Sequence, residues 1–158
     1  MGTKSVIIVA NLLLLSSMSF ADSKTESEIR RVVFEINNNT ILTKRTDPSV
    51  YSKLGALEFW SSGGLLQQVP PGGGDTAEFE IYTIVPKHIE VTTLVDGKAA
   101  IVHYYLEGSE QYIGDLAATN YLTRCTQAFV KEDGEWKIRS SHWSRIVGGV
   151  GTTRTAVP

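Results

Sequence analysis

One cysteine, Cys125, stands in a chain of 158 residues, so no disulfide within the chain can staple the fold. It sits in an apolar-rich run with no histidine paired to it in sequence, and reads as a small buried apolar residue rather than a reactive thiol. Basic blocks are missing too: 15 Lys and Arg stand against 17 Asp and Glu, a net charge of −2, with no run of five or six cations. Nucleic-acid binding therefore has no electrostatic footing. The three histidines, His88, His103 and His142, show no metal-ligand spacing, and no metal or cofactor is expected. Phosphate-loop, nucleophile-elbow and paired-carboxylate patterns are absent.

The one long apolar run lies at the start. Lys4 precedes Val6 to Leu15, apolar apart from Asn11, and Ser19-Phe20-Ala21 places small residues before a cut after Ala21. The run is too short to span a membrane and has the build of a secretory signal peptide. Residues 1–21 are thus expected to be removed and the mature chain exported, to the periplasm or the outside, with no membrane attachment after cleavage. The competing reading is a core strand or an uncleaved anchor. Residues 22–147 form one expected domain, long enough to bury a core. Residues 148–158, with Gly148, Gly149 and Gly151, read as a flexible tail.

Ser23-x-x-Glu26 and Thr25-x-x-Glu28 both fit a capping box, so the start of the first helix is ambiguous. Ile29, Val32, Val33 and Ile36 make one apolar face, and the helix is expected to reach about Lys44 through a poor Asn37-Asn38-Asn39 run. Asp47-Pro48 starts a second, short helix that Gly55 stops. Ala56 to Trp60 reads as a strand. Ser61 to Gly74, with five glycines and Pro70-Pro71, reads as an exposed loop, either a lid or plain surface. Phe79 to Val85 is strand or helix. His88 to Val95 and Lys98 to Leu106 are strands around Asp96-Gly97, Gly108 to Leu116 a loop, and Ala117 to Lys131 and Glu135 to Ile146 the two arms of a long hairpin at Asp133-Gly134. Helices first and hairpins after give an α+β domain, a strongly curved, mostly antiparallel sheet wrapped on a long N-terminal helix.

Arg124-x-Thr126-x-Ala128-Phe129-Val130-Lys131-x-Asp133-Gly134-x-Trp136-Lys137-Ile138, followed by His142-x-Ser144, resembles the closing hairpin of the nuclear transport factor 2-like superfamily. It is most similar there to SnoaL-like proteins and to the association domain of calcium/calmodulin-dependent protein kinase II. The order of elements over residues 24 to 146 is similar as well. The resemblance implies a cone-shaped α+β barrel, usually dimeric, with a pocket between helix and sheet. It leaves activity open, since the superfamily holds isomerases, cyclases, dehydratases, epoxide hydrolases and non-catalytic domains. Enzymatic members rely on carboxylates inside the cone, and this hairpin offers none on the face expected to point inward; Glu58, Glu90 or Glu107 would have to supply one, and no motif places them.

The candidate site is therefore Arg124 and His142, with Trp60, Tyr104, Thr126 and Ser140 around them. Arg presents a planar fork suited to a carboxylate, and His can donate, accept or act as a base near neutral pH. The first functional reading is an exported binding module for a small organic anion or oxygenated ring compound. The alternative is a SnoaL-like isomerase, cyclase or hydrolase with His142 as acid/base and Arg124 as anion clamp. A third is a structural dimer subunit whose cone is filled by its own side chains. Against the site, Arg124 could be tied in an ion pair with Glu90 or Glu107, and His142 could be a core histidine bonded to backbone. Trp60, Tyr104 and Trp143 could be packing or interface residues.

Register decides the site. A two-residue Asp133-Gly134 turn pairs Lys131 with Trp136 and Cys125 with His142. A three-residue turn with a bulge at Gly134 pairs Thr126 with Ser140 and Arg124 with His142, which gives an apolar apex and a polar mouth on one face. The bulged turn is the expected one. It turns Trp143 and Phe129 outward, and a sheet face carrying large aromatics predicts a homodimer.

Overall fold

The computed structural model describes the backbone of residues 6–74, 76–115 and 118–152, and side chains from Lys24 on apart from 75 and 116–119. Helix α1 spans Val6–Thr43, and seven strands follow: β1 Ala56–Phe59, β2 Gln67–Val69, β3 Phe79–Tyr82, β4 Val85–Val95, β5 Ala99–Tyr112, β6 Ala118–Glu132 and β7 Glu135–Arg145. They form one sheet in the order β2-β1-β7-β6-β5-β3, with β4 also on β5. Only β1 and β7 run parallel. The sheet curves around α1 without closing, so the expected α+β cone is present as an open one. No helix among the described residues is long and apolar enough to cross a membrane.

The apolar face of α1 packs as its spacing requires. Ile29 and Val33 are fully buried, with Val32 and Ile36 at the margin of the same core. Each buried aliphatic side chain is worth about 2 kcal/mol. Asn37 is tolerated because its Nδ2 donates to the carbonyl of Val33 at 2.8 Å, and the helix continues through the Asn run to Thr43. Thr25 ties the start of this face to the β4–β5 turn, donating to Asp96 Oδ1 at 2.6 Å and accepting from the amide of Gly97. The second helix is only a 3-10 turn, Pro48–Val50, capped by Asp47 Oδ1 on the amide of Ser49.

Two further expectations change in the sheet. Gly108–Leu116 is not all loop, because β5 runs on to Tyr112 and pairs there with β3. Gly108 permits this: a Cβ there would lie 2.6 Å from the carbonyl oxygen of Thr83. Val150 and Thr152, expected in the tail, are bonded to the rest of the fold. Val150 exchanges backbone hydrogen bonds with Asn120 and Leu122, and the amide of Thr152 donates to Ser61 Oγ at 2.9 Å. Residues 153–158 lie outside the described residues, as do the side chains of the expected signal segment.

The hairpin register is the main correction. Asp133 and Gly134 both have positive φ, 51° and 88°, as a two-residue type I′ turn requires. Glu132 faces Glu135, Lys131 faces Trp136 and Phe129 faces Ile138. The like-charge pair Glu132–Glu135 that this turn creates is relieved from outside it: Glu132 accepts from Ser52 Oγ at 2.6 Å and from the amide of Lys53 at 2.9 Å. A bulge does occur, but inside β7. Phe129 pairs with Ile138 and Ala128 with Ser140, leaving Arg139 as the extra residue. It is anchored by its Nη1 on the carbonyl of Gly55 at 2.7 Å.

Candidate functional site

The bulge at Arg139 inverts β7. Trp136 and Ile138 point inward before it; Ser141 is buried after it, and Ser140 and His142 are exposed. On β6 the odd positions, Tyr121, Thr123, Cys125, Gln127 and Phe129, are the buried ones. Arg124, Thr126, Ser140 and His142 thus share the outer face of the sheet. Thr126, not Arg124, stands opposite His142, and Arg124 stands opposite Ser144, donating from Nε to its Oγ at 2.7 Å. Of the expected site residues, Arg124, Thr126 and His142 line an outer hollow of about 600 Å³ that also takes in His88, Glu90 and His103, while Ser140 does not line it. A single row crosses five strands there: Glu90, His103, Thr126, His142, Phe59. Arg124 makes no ion pair with Glu90 or Glu107, which instead meet Arg30 and Lys87. Phe129, expected outside, is a fully buried core residue, and Trp143 packs against the core from the inner side.

Inside the cone a cavity of about 430 Å³ lies between α1, the 3-10 turn and the sheet. Trp60 and Tyr104 are the two expected site residues that line it. Tyr104 donates to Gln127 Oε1 at 2.7 Å, and Gln127 Nε2 donates to Ser141 Oγ at 3.2 Å. Beside this chain lies Glu58, brought in by the alternation of β1, which buries Ala56 and Glu58 and exposes Leu57 and Phe59. Glu58 Oε2 accepts from Trp60 Nε1 at 3.3 Å, while Oε1 is buried with no partner. Burial pushes its carboxyl above the usual range, against the pull of Tyr51, Trp60 and Ser141.

Glu110 is the second interior carboxylate, 4% exposed, on the part of β5 beyond Gly108. Its Oε1 has no hydrogen-bond partner. Burial raises its pKa from 4.5 to about 7, and a hydrogen bond from Thr152 only partly opposes that. Tyr82, Tyr112 and Tyr121 share the cavity wall with it. Cys125 lies on the sheet between the two hollows, and burial pushes its thiol up, as suits an inert packing residue. Among the described residues no three His, Cys, Asp or Glu side chains gather in a way that could hold a metal.

Sequence reasoning named Glu58 only as one of three carboxylates without a place, and passed over Glu110, Tyr112, Tyr121 and Gln127. For Glu58 the signal was the alternation Ala56-Leu57-Glu58-Phe59. For Glu110 it was Leu106-x-Gly108-x-Glu110-x-Tyr112, a period of two running through a glycine that reads as a stop.

No protein-family model matches the sequence, and no curated protein matches it. Solved structures do. A proposed aromatic ring hydroxylase from Novosphingobium aromaticivorans superposes with a TM-score of 0.59 at 14% identity, over 80% of this chain and 92% of that one. A nuclear transport factor 2-like protein of unknown function from Pseudomonas putida gives 0.52 at 17% identity, over 77% and 87%.

Proposed function

We propose, for a chain with the nuclear transport factor 2-like fold, that it is a small-molecule-binding domain whose ligand is an oxygenated or otherwise polar-tipped ring compound held in the interior cavity. Glu110 is its polar anchor. One observation carries this: a buried carboxyl with a free oxygen faces a cavity of about 430 Å³, within the range of pockets that enclose small molecules. An unpartnered buried polar atom is costly, and a ligand donor would relieve it. Eight aromatic side chains line the cavity and favour a flat apolar body. An organic anion is not part of the proposal. Asp47, Glu58 and Glu110 line the cavity with no Lys, Arg or His among the described lining residues.

The enzymatic alternative survives with a different residue. Glu110, titrating at about 7, can act as a general acid or base near neutrality inside the cone, whereas His142 lies on the outer face. Trp60 and Trp143 line the cavity, so ligands report through indole fluorescence. The test titrates hydroxylated and keto ring compounds and their carboxylated analogues into the mature protein. Neutral rings quench the fluorescence and raise Tm, and carboxylates do neither. A cavity indifferent to every ring compound, or found filled by its own side chains, defeats the proposal.

The domain is further proposed to be exported after cleavage at Ala21 and to form a homodimer. Supporting the cut, small residues Ser19 and Ala21 follow the apolar run Val6 to Leu15. N-terminal sequencing of the exported chain should begin at Asp22, and retention of residues 1–21 refutes the cut.

A further inference from the structure

We infer that the interior cavity takes an organic cation, an ammonium or protonated ring nitrogen on an apolar body, seated against Glu110. This rests on the ligand-binding reading above and adds the ligand's charge.

The cavity is one-signed. Three carboxylates line it, and the groups that face Glu110 are Tyr82 from β3, Tyr112 from β5, Tyr121 from β6 and Thr152, with Glu58 and Asp47 elsewhere on the wall. None is a cation. No Lys, Arg or His is among the described lining residues; of the nearby cations, Arg124 lies on the outer face, Lys131 binds Glu28, and Lys87 binds Glu107. A buried carboxylate without a counter-charge is expensive and is retained only with a proton or a cation supplied to it. Both Glu58 and Glu110 leave one oxygen without a partner, so the acceptor sites for such a cation are in place.

The rest of the wall suits the same ligand. Aromatic faces attract ammonium groups through the ring quadrupole, most strongly when water is excluded. Tyr82, Tyr112 and Tyr121 line the cavity together with Glu110, and Trp60 donates to Glu58. An anion would meet repulsion there. A neutral alcohol could bond a protonated Glu110 and would gain nothing from the charge.

Proton release provides a signature. With the cavity empty, Glu110 holds its proton up to about pH 7. A bound ammonium favours the ionised carboxylate, so binding below and around pH 7 must release that proton. Affinity then rises with pH until the amine itself loses its charge.

Benzylamine, benzyl alcohol and benzoate share one body and differ in charge. They would be titrated by calorimetry into the mature wild-type protein and the Glu110→Gln variant at pH 5.5 and 8, in buffers of different ionisation enthalpy. Benzylammonium should bind at least tenfold more tightly than the alcohol at pH 8, weaken tenfold at pH 5.5, and lose most of its advantage in Glu110→Gln. Buffer-dependent heats at pH 7 should show proton release in the wild type alone. This last readout needs no variant; Glu58→Gln serves as a second should Glu110→Gln misfold. Alcohol binding equal to amine binding, or amine binding indifferent to pH and to Glu110→Gln, overturns the cation inference and leaves ligand binding standing. Failure of all three probes to bind removes both.

Discussion

The hydroxyl of Thr152 donates a hydrogen bond to the carboxyl of Glu110, and it lies 3.0 Å from the hydroxyl of Tyr112. The chain's closing segment is thereby laid against the cavity wall and latched at Ser61. The bond favours the ionised carboxylate, so it holds the Glu110 pKa below where burial alone would put it. Thr152→Val keeps the shape and removes the donor. It should move the Glu110 titration upward, read from the carboxyl C=O infrared band. An unchanged midpoint would show that the bond has no electrostatic consequence.

Glu110 also makes stability fall as pH rises. Its folded pKa, about 7, is above the reference value of 4.5. Below 4.5 both folded and unfolded states are protonated and nothing is lost. Between 4.5 and about 7 the unfolded state releases the proton and the folded state keeps it, so stability drops across that window by about 3 kcal/mol. Glu110→Gln removes the ionisable group and should flatten the curve, leaving the variant more stable than wild type at pH 8. Urea melts at pH 5 and 8 measure this, and a wild type with no loss attributable to Glu110 contradicts it.

Glu28 works in the opposite sense. From α1 it accepts from Lys131 Nζ at 2.6 Å and Trp136 Nε1 at 2.8 Å, fastening the helix to the hairpin tip. Those bonds lower its pKa, Lys131 first and Trp136 second. Its contribution is present above the unfolded carboxylate value and fades as pH falls through the lowered one. Glu28→Gln, which keeps an acceptor for the indole, should cost about 1 kcal/mol at pH 7. The gap from wild type should close in acid. A pH-independent difference would mean that packing, not charge, is what the substitution disturbs.

The fold was legible because its signals are local and redundant. The 3.6-residue face of Ile29, Val32, Val33 and Ile36 and the Asp133-Gly134 turn each specify an element within a few residues. The site was not, because it hangs on parity. Sequence places Arg124 and His142 on long strands, but which face they join depends on the turn type and on a bulge at Arg139. That bulge is held by the distant carbonyl of Gly55. No pattern near Arg139 announces it. Glu110 was hidden differently: Gly108 looks like a strand end, yet serves as the place where Thr83 and Ile84 cross close to β5.

The outer face is where a second copy is expected. Leu57, Phe59 and Tyr105 are 42%, 45% and 45% exposed there, alongside His103, His142 and Arg124. Phe59 stands edge-on to His142, with ring centroids 5.7 Å apart, at the end of the five-strand row. Two such faces meeting about a twofold axis would cover these apolar side chains, and the contact must exceed about 1,000 Å² to be stable. Phe59→Glu puts a charge into that contact. It disturbs nothing inside, because β1 turns only Ala56 and Glu58 inward. Sedimentation at micromolar concentration should give a dimer for wild type and a monomer for Phe59→Glu, with the far-UV spectrum and the fluorescence response of the interior cavity unchanged. A wild-type monomer rejects the dimer outright. A Phe59→Glu dimer places the interface on some other surface.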